Sequence, residues 1–144
     1  MKLIIGASGY IGNSLFKYFR EREEVIGTYS ENVGQDLHHF DLRDPDLGKL
    51  GINLSDIKHG LICSAISNID RCRTDLEISK SINLLGTKRL LEQFFDKGII
   101  PVFISSDYVY DGKKGDYTEN DTRNPNTVYG NQKKAIEDFL ESNG

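Results

Sequence analysis

An apolar run from Lys2 to Ile5 that passes at once into Gly6-Ala7-Ser8-Gly9-Tyr10-Ile11-Gly12 leaves this chain few folds to choose from. A buried strand, a tight glycine turn and a helix start follow one another with no room for anything else. Without β-carbons, Gly6 and Gly9 let the backbone turn sharply and let a diphosphate lie close to bare amides, whose positive ends the new helix aims at the anion. Gly12 lets that helix pack against its own strand. The spacing, G-x-x-G-x-x-G, is one residue longer in its first gap than the common dinucleotide fingerprint. A glycine-rich turn in another kind of α/β protein is the competing reading. The position between strand and helix favours a cofactor, with Gly6, Ser8, Gly9, Tyr10, Ile11 and Gly12 around it.

The rest of the chain alternates in the same manner. Ile11, Leu15, Tyr18 and Phe19 recur at helical spacing and predict a first helix ending near residue 20. Val25 to Thr28 reads as a second strand and His39 to Leu42 as a short third, broken at Arg43-Asp44-Pro45. Gly60 to Ala65 reads as a fourth strand, apolar enough to be buried on both faces. A long helix is expected over about 75–96, stopped by Lys97-Gly98. Pro101 to Ser105 makes a fifth strand, and a final helix runs from after Pro125 to about Ser142. This alternation predicts an α/β, doubly wound parallel sheet of Rossmann type, in the order 3-2-1-4-5, with helices on both faces. Its ligand crevice lies at the carboxyl ends of strands one and four, where the order reverses.

The 144 residues are expected to form one domain, 1–144. With 28% charged residues and a net charge of only −4, the sequence offers no nucleic-acid surface and no polybasic membrane patch, so the expected partner is a small molecule. Met1 leads directly into the first strand, no signal peptide is expected, no apolar run approaches membrane-spanning length, and a cytoplasmic protein is expected. Cys63, at a strand end, and Cys72, in the loop after it, read as reduced thiols. No metal is expected.

Tyr129 and Lys133 stand one helical turn apart and project from one face of the last helix. An ammonium next to a phenol favours its anion and is expected to lower a pKa that starts near ~10. Upstream, Ser105-Ser106-Asp107-Tyr108-Val109-Tyr110-Asp111-Gly112 leaves the fifth strand at the same carboxyl edge, where a serine hydroxyl can hydrogen-bond a carbonyl oxygen. Ser105 is expected only to satisfy backbone groups.

Taken together, these motifs resemble the extended short-chain dehydrogenase/reductases: Gly6-x-x-Gly9-x-x-Gly12, then Asn83-Leu84-Leu85-Gly86-Thr87, then Ser106, then Tyr129-Gly130-x-x-Lys133. Ser105 to Gly112 is similar to the motif of dTDP-4-dehydrorhamnose reductases and their sugar-nucleotide-binding relatives, and Ile69-Asp70-Arg71-Cys72 resembles the segment after their fourth strand. The related dehydratases carry Asp-Glu where this chain has Asp107-Tyr108, which argues against dehydration. The resemblance implies NAD(P)-dependent reduction of a 4-keto sugar nucleotide. In it Tyr129 donates a proton to the carbonyl oxygen, Lys133 tunes Tyr129 and binds the nicotinamide ribose, and Ser106 hydrogen-bonds the same oxygen. Asn83 matches an active-site asparagine and ranks below these three. The alternatives are a dinucleotide- or sugar-nucleotide-binding regulatory module without turnover and an NAD-dependent sugar-nucleotide epimerase.

The chain departs from its relatives in two places. At the end of the second strand an NAD-binding fold usually places an acid on the adenosine ribose. Here Gly27-Thr28-Tyr29-Ser30 offers the hydroxyls of Thr28 and Ser30, with Glu31 the nearest carboxylate, so NADP is slightly favoured over NAD. Asp41 and Leu42 are expected beside the adenine, and Ala65 at the cofactor. The relatives also continue past the Tyr-Lys helix into a carboxamide loop and a substrate lobe, so a portion truncated relative to the family is expected, with turnover near background until that segment is supplied. On the long helix, Ile78, Ile82 and Leu85 form an apolar stripe nearly opposite Leu84, Leu91 and Phe95. One stripe faces the sheet, and the other suits a homodimer through the long helix 75–96 and the C-terminal helix.

Overall fold

Leu3, Ile4 and Ile5 of β1 (Lys2–Ile5) are each at most 1% exposed, as a strand flanked on both edges and covered on both faces must be. In the computed structural model, which describes residues 1–143, β1 pairs in parallel with β2 (Val25–Tyr29) and with β4 (His59–Ile62). β3 (Leu37–His39) extends the sheet beyond β2, and β5 (Ile100–Phe103) beyond β4. The order β3-β2-β1-β4-β5 is the one expected from the sequence. In register, Ile4 stands opposite Gly27 and Leu61.

Successive strand residues point to opposite faces, which places the helices. Ile4 and Leu61 cluster with Ala7 and with Phe16 of α1 (Tyr10–Arg20). Gly60, one residue before Leu61, faces the other way, where an added Cβ would lie 2.3 Å from Phe94 of α4 (Thr87–Asp96). The sheet is therefore covered by α1 on one face and by α4 on the other. As expected from Lys97-Gly98, α4 ends in a left-handed glycine: Gly98 has φ +67° and Ile99 N–H returns to Phe94 O at 2.8 Å.

The chain packs as two compact units. One comprises Met1–Ala65 with Arg89–Ile104 and contains the sheet. The other comprises Ile66–Lys88 and the residues from Ser105 on. It contains α2 (Ile69–Thr74), α3 (Leu76–Ser79), a π-helical segment Lys80–Gly86 and α5 (Val128–Asn143).

Several boundaries differ from the expectation. β3 lies at Leu37–His39 rather than His39 to Leu42. Phe40 N–H still donates to Tyr29 O at 2.8 Å, but Asp41 Oδ1 then accepts Arg43 N–H at 2.8 Å and turns the chain away. Phe40 and Leu42 are buried all the same, so their apolarity signals burial and not pairing. β4 and β5 each begin one residue early and end before Cys63 and Ile104. The helical region expected from residue 75 begins at Ile69, because Asn68 Oδ1 caps it by accepting Arg71 N–H at 2.8 Å. Cys72 thus lies in α2 and not in a loop. Asp75, at φ −109° and ψ 53°, interrupts the helical run before α3.

Neither cysteine is in a disulfide. Among the described residues no helix is long and apolar enough to cross a membrane, and no group of acids, histidines and cysteines is arranged to hold a metal ion.

Candidate functional site

Two of the three glycines after β1 are required by the protein's own packing. Gly6 has φ +86°, and an added Cβ there would lie 2.9 Å from Ser64 N. A Cβ on Gly12 would lie 2.1 Å from Gly6 O. Gly9 is different: its Cβ would meet only Gly6 O at 3.4 Å, and its φ of −82° and ψ of 171° suit any residue. The fold itself therefore does not require glycine at position 9. Gly9 is the N-cap of α1 and gives it no side-chain cap, and the first turn carries no acid. Such a terminus is able to take an anion. Ser8 is half-buried, whereas Tyr10 is 93% and Ile11 47% exposed, on the open side of the loop. These features fit a diphosphate cradle.

Thr28 is fully buried, and its hydroxyl accepts Gly6 N–H at 3.1 Å. It braces the glycine turn rather than presenting a hydroxyl at the surface, which leaves Ser30, half-buried just after β2, as the other of the two expected hydroxyls at that strand end. Asp41 is held by Arg43, whose backbone N–H and Nε each donate to it at 2.8 Å. The hydrogen bond from that guanidinium keeps the carboxyl below its ordinary range. Leu42 is buried and Ala65 half-buried. Beside the loop a cleft of about 330 Å³ runs from Ala7 and Ser8 to Asn32 and Gly34.

In the other unit, α5 carries Tyr129, 7% exposed, and Lys133, 5% exposed. The ammonium lies over the phenol ring, 5.6 Å from its centroid. Ser106 caps the short turn Asp107–Val109: its Oγ accepts Tyr108 N–H at 3.2 Å and donates to Asp107 Oδ1 at 3.1 Å. That turn lies directly on α5. The Tyr108 and Tyr129 rings meet edge to face at 6.1 Å, and a Cβ on Gly130 would come within 2.1 Å of Tyr108 O. Gly130 is thus what lets the Tyr108 backbone lie against α5. Ser105 is tied to Glu137 on α5, and Glu137 Oε2 accepts from Arg123 Nη1 at 2.8 Å.

The surroundings of Tyr129 favour its neutral phenol rather than the anion expected from Lys133. Burial pushes the Tyr129 pKa up, the fields of Cys72 and Asp107 add to the rise, and the Ser106 hydroxyl only partly opposes it. Desolvation of the anion is the largest influence, and its direction is opposite to the lowering expected from Lys133.

Asn83 sits in the π-helical segment, 4% exposed, with its amide fully engaged. Oδ1 accepts Ile66 N–H at 2.8 Å, and Nδ2 donates to Ile66 O at 2.9 Å and to Gln132 Oε1 at 2.8 Å. Gln132 Nε2 continues to Ser79 Oγ at 3.0 Å, which donates to Cys72 O at 2.9 Å. Sequence reading missed Gln132 and Ser79, and took Gly130 only as part of the motif Tyr129-Gly130-x-x-Lys133.

Comparison with known proteins follows the same lines. The RmlD substrate binding domain family matches residues 1–144. The chain is 30% identical over 141 residues to dTDP-4-dehydrorhamnose reductase of Aggregatibacter actinomycetemcomitans, covering 96% of this chain and 46% of that protein. It is 29% identical over 134 residues to methionine adenosyltransferase 2 subunit beta of Xenopus tropicalis, covering 91% and 40%. Among solved structures it superposes on MoeE5 in complex with UDP-glucose and NAD with a TM-score of 0.83 and 26% identity, covering 98% of this chain and 48% of that one. The chain spans less than half the length of the curated relatives it matches.

Proposed function

The chain belongs to the RmlD substrate binding domain family, and from that premise we propose that it binds a nicotinamide dinucleotide and serves the reduction of a 4-keto sugar nucleotide. The observation that carries this reading is the grouping of Ser106 and Lys133 with the buried phenol of Tyr129. Similarity to a dTDP-4-dehydrorhamnose reductase, and to a structure holding UDP-glucose and NAD, supports the same substrate class and cofactor.

The dinucleotide would supply a hydride when bound. Gly6, Gly9 and Gly12, with the first amides of α1, hold its diphosphate, and Asp41, Leu42 and Ala65 lie on its adenine side. NADP is favoured over NAD because no acid stands at the end of β2. Lys133 holds the nicotinamide ribose. Tyr129 Oη gives its proton to the carbonyl oxygen that Ser106 Oγ steadies. Asn83, with both amide hydrogens committed, positions Ile66 and α5 rather than touching substrate.

The test is NADPH oxidation by the chain joined to the C-terminal half of the Aggregatibacter reductase, with a 4-keto sugar nucleotide as substrate. Loss of a positioned acid costs roughly 100-fold or more, so Tyr129→Phe should abolish most turnover. Turnover unchanged in Tyr129→Phe contradicts the assignment. A second reading, a dinucleotide-binding regulatory subunit without turnover, is favoured by the similarity to methionine adenosyltransferase 2 subunit beta. Dinucleotide binding with no turnover in the joined protein would select it.

Assembly belongs to the same proposal. Ile78 and Leu85 of the expected stripe Ile78, Ile82 and Leu85 are 48% and 47% exposed, and this face suits a second copy of the chain. Light scattering should give a dimer, and a strict monomer at high concentration would contradict it.

A further inference from the structure

The hydroxyl of Ser105, expected to satisfy backbone groups, donates instead to Glu137 Oε1 of α5. The other oxygen of that carboxylate accepts Arg123 Nη1 at 2.8 Å. Arg123 Nη2 extends the cluster to Glu141 Oε2 at 2.7 Å and to Asp138 Oδ1 at 3.1 Å. The side chains of Arg123 and Glu137 are only 22% and 21% exposed, so the carboxylate is gripped from two sides rather than left to move in solvent. Glu137 stands one helical turn beyond Lys133 on α5.

Ser106 follows Ser105 directly, and its bonds to Tyr108 N–H and Asp107 Oδ1 orient the hydroxyl within its own turn. What seats that turn on α5 lies on either side of Ser106. After it, Tyr108 O lies against Gly130 and the Tyr108 ring meets that of Tyr129. Before it comes the bond from Ser105 to Glu137. We propose that Glu137 is a positioning residue that, through Ser105, holds Ser106 against the phenol of Tyr129, with Arg123 fixing the carboxylate. The inference rests on the reductase reading, which gives Ser106 and Tyr129 one carbonyl oxygen to share, and adds Ser105 and Glu137 as groups that act through Ser106.

The phenol itself reports where Ser106 stands, because burial and the fields of Cys72 and Asp107 raise the Tyr129 pKa while the Ser106 hydroxyl lowers it. The test is the Tyr129 titration in the ring-carbon-labelled chain, with its signal identified by loss in Tyr129→Phe. Ser105→Ala and Glu137→Ala should each move the midpoint up, and the double variant should move it no further than either alone. Ser105→Thr, which keeps the hydroxyl, should leave it in place. Loss of the Glu137 charge without displacement of Ser106 can only move the midpoint down, so the direction separates the two causes. A merely structural bond would lower the unfolding midpoint and leave the phenol unmoved. Ser105→Ala keeps the pair between Arg123 and Glu137 and carries the test should Glu137→Ala not fold. In the protein joined to the C-terminal half of the Aggregatibacter reductase, both variants should lower kcat roughly tenfold or more, with KM within about twofold. A Tyr129 midpoint unchanged or lowered in folded Ser105→Ala overturns the inference. The midpoints are read without substrate or cofactor and decide the placement of Ser106 separately; absence of turnover from the joined wild-type protein would overturn the reductase reading, and with it the purpose of that placement.

Discussion

Asn83 Nδ2 donates to Gln132 Oε1 at 2.8 Å and ties the π-helical segment to α5, the helix that carries Tyr129 and Lys133. Both side chains are at most 5% exposed, so a lost partner is not replaced by bulk water.

From this link follows a stability prediction. Asn83→Ala strands the N–H of Ile66 and Gln132 Oε1, while Ile66 O keeps the Cys72 thiol as donor at 3.1 Å, and buried groups without partners cost about 1–3 kcal/mol each. Asn83→Ala should lose about 2 kcal/mol or more in urea unfolding, and Gln132→Ala about 1–3 kcal/mol. The double variant should lose less than the sum, because one alanine removes what the other strands. Strict additivity would show that the two side chains do not act as a pair.

Tyr129 gives a prediction in pH. Its folded-state pKa is raised by burial, so the folded protein prefers the proton more than the unfolded chain does. The associated stability is present in full below the ordinary tyrosine value of about 10 and is lost as pH rises through the higher folded value. In ring-carbon-labelled protein Tyr129 should titrate above the exposed tyrosines. Asp107→Asn, which removes a negative neighbour, should move its midpoint down, and Ser106→Ala should move it up. A midpoint below that of the exposed tyrosines would contradict the burial-dominated site.

What the sequence revealed depended on how local each cause is. The β1–glycine–α1 unit was legible because strand, turn and helix follow one another in a single short stretch. Tyr129 and Lys133 were legible because one helical turn joins them. The π-helical segment was not, because Asn83 is bonded to Ile66 and Gln132, both distant in the chain. Nor was the role of Thr28, whose hydroxyl meets Gly6 across the sheet. β3 was displaced because Phe40 and Leu42 are buried as strand residues would be, while Asp41 ends the pairing between them. The start of α2 was available in Asn68, a capping residue ahead of Ile69, but was passed over for the longer apolar pattern.

Titration of NADPH and NADH into the wild-type chain, Gly9→Val and Gly12→Ala tests the central claim most directly, because the structure separates what these glycines do. At Gly9 the fold has room for a side chain, whereas at Gly12 a Cβ would come within 2.1 Å of Gly6 O. Gly12→Ala should therefore be strongly destabilised. Gly9→Val should unfold at the wild-type midpoint and yet lose dinucleotide binding by roughly tenfold or more, since its side chain occupies the face on which the diphosphate lies. A folded Gly9→Val that binds either dinucleotide as tightly as the wild type would show that the loop is not the cofactor site.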